Sequence, residues 1–242
     1  MKARKHRLSS DWLAFFKGLP DIVTAIVTVM VVFHVIVELL PSILSYRVWG
    51  LVMLSPTKIA IMMDQGRYFQ GLALPFPGHI FFHVNLAHLL MNGLTILIMG
   101  SYVYREMATR PTVGKNDAPV AFILFFMLSG MFAGLAFVFA TANSGQSLLG
   151  ASGAGAGLFG ACVWILVTRQ WGAKASSAFV ARSVIVLGLI SVVVMAASYY
   201  LDTSKLSYIV FHSASAWQAH MGGYVFGLLT YPFFERMAAL GR

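Results

Sequence analysis

Long apolar stretches separated by shorter polar segments form the main pattern along this 242-residue chain. A helix of about 20 apolar residues is long enough to cross the hydrocarbon core of a bilayer. Six stretches approach or exceed this length, and each predicts a transmembrane helix: 21–43, 80–103, 118–140, 151–170, 180–201 and 216–236. The sequence therefore predicts an all-α fold, a polytopic membrane bundle of six transmembrane helices.

The connector between the first two predicted spans, about 44–79, is unusually long. Its central part, 48–63, is apolar, but the polar run 55–58 interrupts it, so neither half is long enough to cross a bilayer. We therefore expect a membrane-associated first connector. In domain terms we expect a short basic segment, 1–20, followed by a single membrane domain, 21–238.

The composition supports the same class of protein. Hydrophobic residues make up 59% of the chain and charged residues only 10%, whereas soluble domains carry about 25% charged residues. Too little polar material is present to cover a globule in water. The composition therefore excludes a soluble domain and indicates an integral membrane protein with the lipid bilayer as its surroundings.

The basic residues lie between the apolar stretches and do not form one continuous face, so the net charge of +9 does not indicate a nucleic-acid partner. With the N-terminus in the cytoplasm, thirteen of the seventeen basic residues fall on the cytoplasmic side of the membrane. Lys and Arg are enriched in cytoplasmic loops. The other four lie on the outer side: Arg47, Lys58, Arg67 and Lys205. This asymmetry predicts that both termini are cytoplasmic.

Four polar side chains lie at a similar depth on three of the predicted spans. His88 and Asn92 are four residues apart on the second span and so share one helix face. Ser152 begins the fourth span, and His220 lies near the start of the sixth. With the orientation above, all four lie in the outer third of the bilayer. Polar groups in spans are costly and often mark a functional site.

Small residues surround two of these polar groups. Ser152 is followed by a row of small residues along the fourth span, and His220 begins a similar stripe on the sixth. Such rows serve helix packing in many membrane proteins, because they let two backbones approach closely. We predict that the two stripes pack together and bring the His220 imidazole to the Ser152 hydroxyl. The packing positions are Gly153, Gly157, Gly160, Gly223 and Gly227.

The residue types suit acyl-transfer chemistry. A serine hydroxyl is a weak nucleophile that an adjacent imidazole can activate. Glu38 lies near the outer end of the first span, but no Asp or Glu lies near these residues at this depth, so the catalytic unit would be a Ser–His dyad. An asparagine amide and a histidine N–H can stabilise an oxyanion. His79, His83 and His88, at spacings of four and five and without Cys or carboxylate nearby, make a poor ligand set for zinc. We expect neither a metal nor a cofactor.

Three motifs resemble those of the rhomboid intramembrane serine proteases: "GASGAGAGLFGA" around Ser152, "HVNLAHLLMN" ending at Asn92, and "AHMGGYVFG" around His220. The resemblance covers about 20–238 and implies the six-helix bacterial form, in a bacterial inner membrane. It implies that Ser152 is the nucleophile and His220 its general base. It further implies that Asn92, His88 and the backbone N–H of Ser152 stabilise the oxyanion.

The resemblance also concerns the first connector, where His79 and His83 match histidines that help hold it and Arg67 matches its arginine. The chain departs from the family pattern at three places. Ala156 stands where a large residue commonly packs on the base, and Gly66 where a tryptophan often precedes the arginine. The connector between Arg67 and His79 is also longer than usual.

The resemblance implies an intramembrane serine endopeptidase whose partners are transmembrane protein substrates, cut near the outer face of the bilayer. Two alternatives stay open. One is a catalytically silent relative that binds or escorts membrane proteins, although such relatives lose the serine or the histidine and this chain has both. The other is a small transporter, although the sequence has no evident inverted repeat.

Overall fold

The computed structural model describes residues 18–109, 117–142, 145–168 and 216–237. About 82% of these residues are helical, and they contain no strand. This confirms the all-α class predicted from the sequence. The predicted fifth span, 180–201, and most of the predicted N-terminal segment, 1–20, lie outside the described residues.

The first transmembrane helix, α1, is Asp21–Leu39, four residues shorter than the apolar run 21–43. Pro41 explains the difference, because a residue that precedes proline disfavours helical geometry and Leu40 is extended (ψ 145°). A second helix, α2 at Ser42–Val52, begins directly after this proline.

The first connector is folded throughout. After α2 it contains helix α3 at Pro56–Asp64, a π-helical turn at Phe69–Ala73, and the short helix α4 at Pro75–Gly78. The Lys58 ammonium joins α3 to α2 by donating hydrogen bonds to the carbonyls of Leu51 and Met53. The Gly66 N–H and the Arg67 N–H bond back to α3, and Gly66 has the left-handed φ of 69° that this helix ending favours.

The second transmembrane helix begins later than the apolar run that predicted it. It starts as α5 at Leu86–Thr95, passes through a π-helical turn at Ile96–Gly100 and ends as α6 at Ser101–Ala108. The Asn85 side chain caps its first turn by accepting a 2.8 Å hydrogen bond from the N–H of His88. The prediction that the span covers 80–103 is therefore wrong at both ends, and His83 belongs to the connector.

The other described helices follow the predicted spans within two residues. They are α7 at Asp117–Ala140, α8 at Ser152–Thr168 and α9 at Trp217–Met237. These three helices surround a core rich in aromatic residues, in which the ring of Phe125 contacts the rings of Tyr231 and Phe234. Each of the three helices packs against the other two, and Ser152 lies at one end of α8.

Three of the described helices are long and apolar enough to cross a membrane: Asp21–Leu39, Leu86–Ala108 and Asp117–Ala140. Ser152–Leu166 is apolar but shorter, and α9 is long but carries more polar residues and glycines. The outer faces of α1 and α7 expose large aliphatic and aromatic side chains along their length. Such faces suit contact with lipid, and the chain is an integral membrane protein.

Candidate active site

Ser152 is the first residue of α8, and a tight turn leads into it. Gly150, two residues earlier, has φ of 109°, a left-handed value that side chains rarely tolerate. The Ala151 carbonyl accepts a 2.8 Å hydrogen bond from the N–H of Gly155 and so begins the helix. The first N–H groups of a helix have no partner within it and carry partial positive charge. Ser152 thus stands where a developing negative charge is stabilised.

The first connector holds this turn by backbone hydrogen bonds. Leu54 and Leu148 exchange two such bonds, of 3.2 and 2.8 Å, in an isolated antiparallel bridge. The N–H of Gly150 donates to the carbonyl of His79 at 2.8 Å. The N–H of Ala151 donates to Nε2 of His83 at 3.3 Å. Three residues just before Ser152 are therefore fixed by a segment that lies far away in the sequence.

His79 and His83 act in this support as neutral imidazoles. Burial lowers the pKa of His79 to about 4 and that of His83 to about 3. His79 Nδ1 bonds the Pro75 carbonyl at 3.0 Å, and His83 Nε2 accepts a backbone hydrogen bond, which requires an unprotonated nitrogen. Both rings are almost completely buried. Their part in the site is thus to hold the turn.

His88 and Asn92 approach the same turn from α5. A Cβ atom at residue 150 would lie 2.8 Å from Nε2 of His88 and 3.4 Å from Nδ2 of Asn92. Only a glycine leaves room for both side chains. Asn92 is buried, and its Nδ2 has no hydrogen-bond partner. A buried amide donor without a partner is rare and needs an explanation, and this one lies beside the turn that carries Ser152.

The backbones of α8 and α9 are in direct contact at glycines. A Cβ at Gly223 would lie 2.0 Å from the carbonyl oxygen of Gly153, and one at Gly227 would lie 1.9 Å from that of Gly157. Gly160 continues the contact, because a Cβ there would lie 2.3 Å from the Tyr224 carbonyl oxygen. The two helices run side by side, so that the first turn of α8 faces the first turns of α9.

This register brings His220 to the level of Ser152. The carbonyl oxygen of Ala219, the residue before His220, lies 3.8 Å from a Cβ position at Gly153, the residue after Ser152. Ala219 also belongs to a small buried cluster with Leu54 and Leu148. The same apolar packing therefore supports the start of α9 and the turn before Ser152.

No hydrogen bond joins the hydroxyl of Ser152 to His220, both of which the structure describes. Catalytic hydrogen bonds are often long in a free enzyme and tighten when substrate binds.

Ala156 is half-buried on α8. The aromatic contact between these helices, from Phe159 to Tyr224 with ring centroids 5.5 Å apart, lies one turn further along.

Two further expectations concern Arg67 and metal binding. Arg67 is exposed at the end of α3, and its backbone N–H closes that helix on the carbonyl of Met62. Its side chain is not among the groups that meet at the turn before Ser152. Among the described residues no three His, Cys, Asp or Glu side chains are grouped so that they could hold a metal ion.

Two buried residues near the site were not singled out from the sequence. Leu54 gave no signal, because its pairing with Leu148 is a long-range contact between two apolar loop residues. His34 could have been found from the sequence, because it is a histidine inside the apolar run 21–43. It is 6% exposed on α1, and its Nδ1 has no hydrogen-bond partner.

Two comparisons with known proteins bear on the family of this chain. Comparison with curated proteins gives no match. A family model described as the Rhomboid domain matches residues 72–236, about two thirds of the chain. The match runs from the connector through α9 and includes Asn92, Ser152 and His220. This chain belongs to the rhomboid family of membrane proteins.

Proposed function

We propose that this protein is an intramembrane serine endopeptidase, that it cuts transmembrane segments of other membrane proteins, and that Ser152 and His220 form its catalytic dyad. Membership of the rhomboid family supports a protease, because most members are intramembrane serine proteases. The presence of both a serine and a histidine at the matching positions argues against a silent relative.

In the proposed reaction the Ser152 oxygen attacks the carbonyl carbon of the scissile bond, and His220 takes the hydroxyl proton. His220 then gives this proton to the leaving amine as the carbon–nitrogen bond breaks, which leaves an acyl group on Ser152. A water molecule, deprotonated by His220, then attacks the acyl carbon. The ester bond to Ser152 breaks, His220 returns the proton to the serine oxygen, and the new carboxyl end is released. General acid–base help of this kind is worth about 10²- to 10⁴-fold in rate.

The observation that carries the proposal is the buried amide of Asn92. Its Nδ2 has no partner, and it lies beside a turn that ends in the free N–H groups of a helix. A donor kept unpaired in this way is available to an oxygen that becomes negative during the reaction. His88, on the same face of α5, would be a second donor, and the Ser152 N–H a third.

The substrate follows from the location of the site. A site within a membrane bundle meets segments that arrive sideways through lipid, and such helices have their backbone hydrogen bonds satisfied internally. A substrate must therefore unwind locally, which favours segments with small or helix-weakening residues. With both termini in the cytoplasm of a bacterial cell, the cut falls near the outer face of the inner membrane, and residues 21–238 act as one domain.

A fluorophosphonate probe tests the proposal, because it reacts with an activated serine. We expect the purified protein to be labelled at Ser152, and Ser152→Ala and His220→Ala to abolish both labelling and cleavage of a model transmembrane substrate. Ser129→Ala is the matched control. This buried serine of α7 bonds its own helix at the Phe125 carbonyl, 2.7 Å away, so labelling should be unchanged. Absence of labelling in the wild-type protein would instead indicate a silent relative.

A further inference from the structure

A buried histidine on the first transmembrane helix faces the connector that supports the site. His34 is 6% exposed and shares the buried face of α1 with Met30 and Val37. The preceding residue, Phe33, stacks on Phe82 with ring centroids 5.1 Å apart. This turn of α1 therefore packs against the chain just before His83. The family match begins at residue 72 and does not include His34.

The hydrogen bond that His83 makes to the turn fixes where its own hydrogen resides. Its Nε2 accepts the N–H of Ala151, so a neutral His83 must carry its hydrogen on Nδ1. That Nδ1 is buried and has no partner. The Phe81 carbonyl approaches the ring, but its geometry does not make a hydrogen bond to Nδ1. A buried donor of this kind needs an acceptor.

His34 offers one. Its Nδ1 is also buried without a partner, on the turn of α1 that packs against the chain just before His83. We propose that His34 is a positioning residue whose Nδ1 accepts the Nδ1–H of His83 through one ordered water. This bond would hold His83 in the tautomer that fixes Ala151, and so fix the turn that carries Ser152. Its kinetic consequence rests on the proposed function.

Three substitutions of His34 separate the effect of losing a hydrogen-bond acceptor from the effect of changing the side-chain volume. Asn places its amide near the position of Nδ1, whereas Gln places it near Nε2. We expect His34→Phe and His34→Gln to lower kcat about 10- to 100-fold with KM little changed, because a small displacement of catalytic groups is costly. His34→Asn should retain most of kcat. Equal losses in all three variants would overturn the proposal.

A second measurement does not depend on catalysis. Nitrogen-15 NMR of the imidazoles, in the full chain in detergent micelles, reports which nitrogen of His83 is protonated. We expect the Nδ1–H form in the wild type and in His34→Asn, and loss of that single form in His34→Phe. An unchanged His83 signal in His34→Phe would refute the role of His34. If His88→Phe changed that signal instead, the acceptor would be His88, whose ring also contacts His83.

Met30→Ala is the matched structural control. Met30 is completely buried one turn before His34, on the same face of α1. Its truncation leaves a cavity and should lower thermal stability. The His83 tautomer and kcat should both stay unchanged. If the wild type showed no proteolysis, the proposed function would fail, while the NMR result would still decide the role of His34.

Discussion

Replacing Gly223 by alanine tests whether the contact between α8 and α9 sets the catalytic geometry. The new Cβ would lie 2.0 Å from the Gly153 carbonyl oxygen and 3.0 Å from its carbonyl carbon. Carbon–oxygen contacts of this kind normally settle at about 3.3–3.6 Å, so along the line of this contact the two helices must separate by about 1.3–1.6 Å. Both atoms belong to helix backbone, so no flexible side chain can yield.

A separation of that size should cost activity more than stability. Misplacing catalytic groups by about 1 Å can lower a rate about 100-fold, whereas overpacking in a core costs about 1–3 kcal/mol of folding free energy. We therefore expect Gly223→Ala to insert and purify, to lose a few degrees of thermal stability, and to lose about 100-fold in kcat. The assay is cleavage of a transmembrane substrate in liposomes, paired with thermal unfolding.

Two alanine substitutions provide matched controls. A Cβ at Gly222 would lie 2.4 Å from the Cβ of Ala136 on α7, so Gly222→Ala should destabilise the bundle without separating α8 from α9. A Cβ at Gly155 would meet only the methyl of Thr95, at 3.4 Å, so Gly155→Ala should keep its activity. The reasoning is refuted if Gly222→Ala loses more kcat than Gly223→Ala at equal stability.

Three further predictions concern the turn and its supports. Asn92→Ala should lower kcat about 10- to 1,000-fold with a smaller effect on KM, measured by steady-state kinetics, because an oxyanion donor acts mainly in the transition state; an unchanged kcat contradicts that role. Gly150→Ala should reduce both probe labelling and stability, since its Cβ would lie 2.5 Å from His88 Cε1 at a φ of 109°, and normal labelling would exclude this packing. Burial lowers the pKa of His83 from 6.5 to about 3, so neutral His83 contributes fully to the free energy of unfolding above pH 6.5. Between pH 6.5 and pH 3 this contribution falls by about 1.4 kcal/mol per pH unit. Thermal unfolding of His83→Gln should therefore depend less steeply on pH than that of the wild type, and equal slopes would argue against a buried neutral His83.

The sequence allowed much of this bundle to be predicted, because helix periodicity and the cost of burying polar groups in lipid are local effects. Spacing alone put His88 and Asn92 on one face, and the two glycine stripes indicated a close contact between the helices that begin at Ser152 and Trp217. Family membership and the all-α class are confirmed. The catalytic roles of Ser152 and His220 stay predictions.

The errors arose where tertiary structure overrides an apolar run. Residues 80–82 are as apolar as the helix that follows, yet they belong to the connector, because Asn85 caps the helix and its first residue is Leu86. The pairing of Leu54 with Leu148 leaves no periodic trace, since it joins two loop residues that meet only in the folded bundle. His34 was visible as a polar residue in a span, but its partner lay in a segment assigned to another helix.

The hydrogen bonds that shape the serine turn also set an order of assembly. The bond from Ala151 to His83 spans 68 residues of sequence, and Leu54 lies further still from Leu148. Long-range contacts form late, because the intervening chain must first be ordered. During synthesis the turn before Ser152 would thus reach its final shape only after the first connector has packed against it. On the proposed function, Ser152 would stay inactive towards neighbouring proteins until that packing is complete.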